Sequence, residues 1–210
     1  MRTLHFPRGG ILATIVILSS CTHGDGPVTD IHSFSDPTSA RTTHADIRWD
    51  LDFKEQMLRG SVTWTVARND NTAPRANLVL DTKSLVIEVV RVGNADGMRA
   101  ATYTHVGGSR VFGIPLTVSL EPGDDRVEIH YHTGDGGACV QWLNAGQTAD
   151  NTHPFMFSQA QSINARAMIP CQDSPGVRFT FDAEITAPDG IRPVMAAENL
   201  EERGANGAWR

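Results

Sequence analysis

An all-β fold, a multi-sheet sandwich, is the class this sequence predicts. Three observations carry it. Apolar residues recur at every second position through much of the chain, turn signals interrupt them at short intervals, and no stretch beyond the first twenty residues keeps a long 3.6-residue period. Ile47, Trp49, Leu51 and Phe53 alternate with polar residues, as do Val62, Trp64 and Val66 after the Lys54-Glu55-Gln56-Met57 turn. These two runs predict an antiparallel hairpin with one buried face. Leu78–Leu80 is a short β-rich run, and Leu85–Val92 is apolar enough to be buried on both faces. Asn94–Gly97 turns the chain; Thr102–Val106 and Leu116–Leu120 are further strands, the second ended by Glu121-Pro122-Gly123-Asp124. Val127, Ile129 and Tyr131 alternate until Gly134-Asp135-Gly136-Gly137 breaks the run. Val177, Phe179, Phe181, Ala183 and Ile185 form the clearest late strand, stopped by Pro188-Asp189-Gly190. Val194–Ala197 reads as one more strand, Glu198–Gly207 as a loop, and Ala208–Arg210 as the start of a return strand. That ending leaves a sheet edge unpaired, so the chain reads as a domain short of its last strands.

Composition fits one exported globular domain. At 40% hydrophobic and 20% charged, the chain is neither disordered nor membrane-spanning, and its 210 residues suffice for one core. The net charge is −6, and a leader containing Arg2 and Arg8 would take two positive charges with it. This acidic balance argues against nucleic acid as a partner, because phosphates require a positive surface.

The N-terminus carries its own signal. Arg2 and Arg8 flank the apolar run Ile11–Leu18, which is followed by Ser19, Ser20 and Cys21. A basic flank, a short apolar core and small residues describe an export signal over residues 1–20, and the run is too short to span a bilayer. Leu18-Ser19-Ser20-Cys21 resembles the lipobox of bacterial lipoproteins, in which the cysteine is acylated. By that resemblance the protein is an exported lipoprotein held on the outer membrane, facing the periplasm or the exterior, with Thr22 after the cysteine favouring that membrane. Residues 21–43, rich in Thr, Ser, Asp, Gly and Pro, read as the lipidated Cys21 and a flexible tether, and residues 44–210 as the β domain. With Cys21 acylated, Cys139 and Cys171 remain, either paired or free.

The segment Pro154–Pro175, PFMFSQAQSINARAMIPCQDSP, mixes polar and apolar residues densely. Gln159, Gln161, Asn164, Arg166, Gln172 and Asp173 alternate with Phe155, Phe157, Ile163, Met168 and Ile169. Amides among apolar residues are costly to bury without partners. The run is therefore either a structured loop beside a site or a satisfied polar network that pins one β layer to another. On the blocks Gln141–Thr148 (QWLNAGQT), His153–Arg166 (HPFMFSQAQSINAR), Met168–Phe181 (MIPCQDSPGVRFTF) and Ala183–Pro188 (AEITAP), the chain resembles the N-terminal domain of gluzincin zinc aminopeptidases, the aminopeptidase N and leukotriene A-4 hydrolase family. The resemblance implies a saddle-like β domain on the substrate side of a peptidase. It also implies that Gln161 first, and Gln159 second, contact a bound peptide near its free amine. An amide that both donates and accepts suits that task.

The family's zinc machinery is missing from these residues. Its zinc is held by H-E-x-x-H on a helix and a downstream Glu; here no histidine pair has that spacing. Met195-Ala196-Ala197-Glu198-Asn199 matches the family's Gly-x-Met-Glu-Asn strand only in composition. No catalytic residue, metal ligand or cofactor is therefore expected in this chain, with zinc and peptide hydrolysis belonging to a catalytic domain that it lacks. His130 and His132 share a strand face with Glu128, but Val127, Ile129 and Tyr131 claim the buried side, so both imidazoles are expected on the solvent side without a third ligand. Gly134–Gly137 reads as a turn, and Ser158 and Ser162 have no nearby histidine and acid in sequence. Two functions stand: the substrate-side domain of an exported zinc metallo-aminopeptidase, and a non-catalytic lipid-anchored β module that binds a peptide or protein partner.

Overall fold

The computed structural model describes residues 30–70, 73–135, 137–200, 203–204 and 207–210; the expected leader and Cys21 lie outside them. The first hairpin forms where the alternation puts it. β1 (Ala40–Asp52) pairs antiparallel with β2 (Met57–Arg68), in register from Ala40↔Arg68 to Asp52↔Met57. Asp52 holds the turn by accepting the N–H groups of Lys54 and Glu55 at 2.9 and 3.0 Å. β8 (Arg126–Thr133) joins β2, β4 (Leu85–Asn94) joins β8, and β5 (Gly97–Ala100) returns from β4 through the Asn94–Gly97 turn. On the far side β11 (Thr180–Thr186) runs parallel to β1, giving the order β11-β1-β2-β8-β4-β5.

A second sheet has β3 (Ala76–Thr82), β7 (Ile114–Leu120) and β6 (Tyr103–His105) in the order β3-β7-β6, and β9 (Val140–Leu143) pairs with β10 (Phe155–Ser158) as a separate ribbon. Val62, Trp64, Val127, Ile129 and Tyr131 of the large sheet meet Leu78, Leu80, Leu116, Val118 and Leu120 of the small one in a single fully buried cluster. Each such side chain contributes roughly 1.5–3 kcal/mol by leaving water. The two buried indoles are satisfied: Trp49 Nε1 donates to Tyr131 Oη at 2.7 Å, and Trp64 Nε1 donates to the Pro170 carbonyl at 2.9 Å. Burial pushes the Tyr131 phenol well above its ordinary pKa, so it stays a neutral partner for Trp49.

Four expectations need correction. β4 is buried on one face only: Leu85, Val90 and Val92 enter the core, while Val86 and Val89 are 47% and 40% exposed. The strand lies in an antiparallel part of the sheet, where one packed face suffices, and its register shifts between Ile87 and Val89. The late strand begins at Thr180, because Val177 still donates to Ser174 O in a turn. Val194–Ala197 is not a strand. There the Asn199 side chain takes the place of a neighbouring strand, accepting from Met195 N at 2.8 Å and donating to the carbonyls of Met195 and Ala197 at 2.9 and 2.7 Å. Trp209, by contrast, exchanges both backbone hydrogen bonds with Ile185. Finally, the tether expected through Thr43 gives way earlier. Ala40–Thr43 belong to β1, and Asp81 already binds Ser33 Oγ at 2.5 Å and Phe34 N at 2.7 Å. Cys139 and Cys171 are free and buried, and burial raises both thiol pKa values.

Gly60 is required by the packing of β1 on β2. It pairs with Trp49 on one side and Tyr131 on the other, beneath their hydrogen bond. A Cβ there would lie 1.9 Å from the Arg48 carbonyl oxygen, whereas at Gly97 it would meet nothing within 4 Å. Gly60→Ala is expected to lower the unfolding free energy by about 2–3 kcal/mol in denaturant titration, with Gly97→Ala near neutral.

Candidate functional site

The segment that mixes amides with apolar residues divides into a buried half and an exposed half. Its first residues form β10, in register Phe155↔Leu143, Met156↔Trp142, Phe157↔Gln141 and Ser158↔Val140. Period-two alternation turns Met156 and Trp142 toward the core, where Trp142 meets Phe53 edge-on at 5.1 Å. Phe155 and Phe157 stay exposed and stack at 6.2 Å. Gln159 extends the ladder by one bond, its N–H donating to Cys139 O at 2.8 Å.

The extended course expected to carry both glutamines ends there. Residues 161–164 turn, and Gln159 Oε1 accepts the Gln161 N–H at 3.1 Å, so the first amide caps the turn that holds the second. The Gln161–Ser162 peptide is cis. Asn164 Nδ2 donates to Gln161 O at 3.4 Å, and a single 3-10 turn, Ala165–Ala167, follows. Both glutamines are exposed, and the Gln161 side-chain amide carries no hydrogen bond among the described residues.

Beyond the turn the polar groups go inside. Arg166 is fully buried; its Nε donates to Asp173 Oδ2 at 2.9 Å, Nη2 to Asp173 O at 3.1 Å, and Nη1 to Phe112 O at 3.2 Å, with Asp81 Oδ1 3.6 Å away. Asp81, also fully buried, accepts from Ser33, Phe34 and Asp173 N, the last at 3.1 Å. Burial pushes the Asp81 pKa up, and those three donors and the guanidinium oppose that rise. Gln172 bonds to β1 as a strand residue would, donating to Ala40 O at 2.9 Å and accepting from Thr42 N at 3.0 Å. The satisfied network and the structured loop, alternatives in sequence, are consecutive parts of one segment.

Other candidates separate. His130 bonds Glu128 at 2.8 Å, and His132 is 4.0 Å from Glu88, both outside the core. Neither Ser158 nor Ser162 bonds a histidine among the described residues. Gly134 N donates to Ser84 O at 2.7 Å in a turn, and Gly136 lies outside the described residues. One group was not read from sequence: His44, Asp46 and Asp182, with His44 Nε2 3.6 and 3.5 Å from the two carboxylates. His44 and Asp46 are two apart on β1, but Asp182 arrives through the parallel β1–β11 pairing, which leaves no local signal. The group does not fit the family's zinc centre: both carboxylates are exposed and only one histidine is present. Asp46 and Asp182 also line a cavity of about 560 Å³ that runs along β11 against Met195, Leu200 and Trp209, and neither Gln159 nor Gln161 lines it.

Residues 41–206 match the peptidase M1 N-terminal domain family. The chain belongs to that family. It is 34% identical over 171 residues to leukotriene A-4 hydrolase of Xenopus laevis and 34% identical over 176 residues to leucine aminopeptidase 2 of Coccidioides immitis, each match covering 81% of this chain. It spans only 28% and 27% of those relatives' lengths. The yeast LTA4 hydrolase solved with bestatin superposes with a TM-score of 0.76 at 26% identity, over 89% of this chain and 28% of that one. The M1 zinc metallopeptidase of Deinococcus radiodurans solved with a Tyr-Ser-Ala substrate shares the fold, with a TM-score of 0.58 at 17% identity over 81% of this chain and 38% of that one.

Replacing Arg166 with Met should cost about 3–5 kcal/mol in denaturant unfolding, since Asp81 would be left charged and unpaired in the core. Adding Asp81→Asn should recover part of the loss by removing that charge.

Proposed function

We propose that this chain is the substrate-side domain of an exported, lipid-anchored zinc metallo-aminopeptidase that releases N-terminal residues from peptides. The observation that supports this most is the exposed Gln159–Gln161 turn, set on a buried Arg166–Asp81–Asp173 frame in a family whose relatives are aminopeptidases and hydrolases. The Gln161 amide, free to donate and accept at once, recognises peptide backbone near the substrate's amine, and Gln159 holds the turn for it. The zinc is not held by these residues: the sequence contains no H-E-x-x-H, and His44, Asp46 and Asp182 do not replace it. A second reading, a lipid-anchored module that binds a peptide or partner protein without catalysis, rests on the same exposed Gln161 amide, which can bond a peptide with or without catalysis.

Three experiments bear on this reading. The purified chain should bind no stoichiometric zinc and show no chelator-sensitive aminoacyl release. Joined to the catalytic region of a related enzyme it should gain activity, and Gln161→Ala should then lower kcat/KM about tenfold, the value of one good hydrogen bond. Chelator-sensitive turnover by the chain alone, free of contaminating peptidases, would sink the assignment. For the anchor, Cys21→Ala should abolish acyl labelling and move the protein from the membrane to the soluble fraction; unchanged partition would count against it.

A further inference from the structure

The surface around the β6–β7 connection differs chemically from the rest of the molecule. Residues 101–120 contain no Asp or Glu and carry Arg110, in a chain with 24 acidic residues and a net charge of −6. The four most exposed large apolar side chains among the described residues are Ile31 at 80%, Val194 at 74%, Val106 at 72% and Val111 at 65%, and three of them belong to this surface. Ile114 adds to it at 38%.

The connection is braced. Ser109 and Gly113 exchange backbone hydrogen bonds at 2.8 and 2.9 Å, Thr82 Oγ1 donates to Ile114 O at 2.6 Å, and Arg166 holds Phe112 O. Lys83 Nζ donates to Val111 O at 3.0 Å, setting an ammonium beside the apolar tip. The His32 ring stands edge-on to Phe112 at 5.8 Å, so its chain neighbour Ile31 lies close to the connection, as does Asp30, whose carboxylate accepts from His32 N at 2.9 Å. The result is a fixed apolar tip with Lys83 and Arg110 at its margin. A rigid tip of this kind suits insertion between lipid headgroups, with the cations against phosphate.

The chain enters the domain beside this tip, where Ser33 and Phe34 are bound to buried Asp81. Ile31 lies ten positions after Cys21, a span of at most about 36 Å. We propose that the patch of Ile31, Val106, Val111 and Ile114 rests in the headgroup layer of the membrane that holds Cys21, with Lys83 and Arg110 facing lipid phosphate. This rests on the reading that Cys21 is acylated.

The test uses the full acylated chain in vesicles of phosphatidylethanolamine and phosphatidylglycerol. Val111→Cys, Val106→Cys and Val194→Cys are each labelled with the environment-sensitive dye NBD; Cys139 and Cys171 are buried and Cys21 is blocked by its lipid, so labelling is confined to the new thiol. The labels at 111 and 106 should emit at shorter wavelength than the label at 194 and lose most of their emission to a spin-labelled lipid, while the label at 194 keeps its own. Arg110→Glu should weaken that quenching. Vesicle-bound protein without quenching at 111 and 106 overturns the patch and leaves the anchor standing. Blue-shifted emission that lipid spin labels do not quench means that protein covers the patch, and also overturns it. A chain that remains in the aqueous phase overturns the anchor, and the proposed occupant with it.

Discussion

A guanidinium with no exposure to water holds this domain's loops together. Arg166 can lie in the interior only if its charge is balanced and its N–H groups are taken. Asp173 and Asp81 supply the charge, and the carbonyls of Phe112 and Asp173 complete the donor set. Four stretches of chain thereby meet at one point: residues 33–34, 81–83, 109–113 and 166–173, of which only the second and last are also joined by a backbone bridge, Asp81↔Cys171. Hydrophobic burial fixes how the sheets face each other, but it is indifferent to where a loop between strands lies. Directional charge contacts are not, and here they set the loops.

Buried amide chemistry extends the same frame. Gln172 gives β1 a donor and an acceptor where β1 would otherwise lack a neighbour, and Asn199 does likewise for Met195 and Ala197. In contrast, the Gln159–Gln161 turn keeps its second amide free. The buried amides are spent on the domain's own backbone, whereas the Gln161 side chain carries no hydrogen bond among the described residues. The buried frame fixes where that exposed turn stands.

Much of this architecture was legible in the sequence. The β1–β2 hairpin, the Asn94–Gly97 turn and the inward face of β8 follow from local alternation and turn chemistry, which act over a few residues. The ordered blocks from Gln141 to Pro188 pointed to the family. What failed was long-range. Val194–Ala197 has strand composition, yet an asparagine side chain takes up its backbone bonds. β4 looks doubly buried because apolar content does not tell which face is covered. In the candidate segment, the mixture of amides and apolar residues signalled the satisfied polar network, but not that Arg166 and Gln172 turn inward while Gln161 remains outside. His44, Asp46 and Asp182 were invisible because a parallel pairing between distant strands leaves no trace in either one.

That parallel pairing also sets an order of assembly. His44 and Thr180 are 136 positions apart, and their strands can meet only after almost the whole domain has been synthesised. The antiparallel hairpins close short loops and can form early, whereas joining β11 to β1 must close the longest loop in the fold. Until then β1 shows a bare row of amide and carbonyl groups, open to any other extended strand. The largest sheet therefore stays unfinished at that edge, and the chain around it loose, until the last strand has arrived.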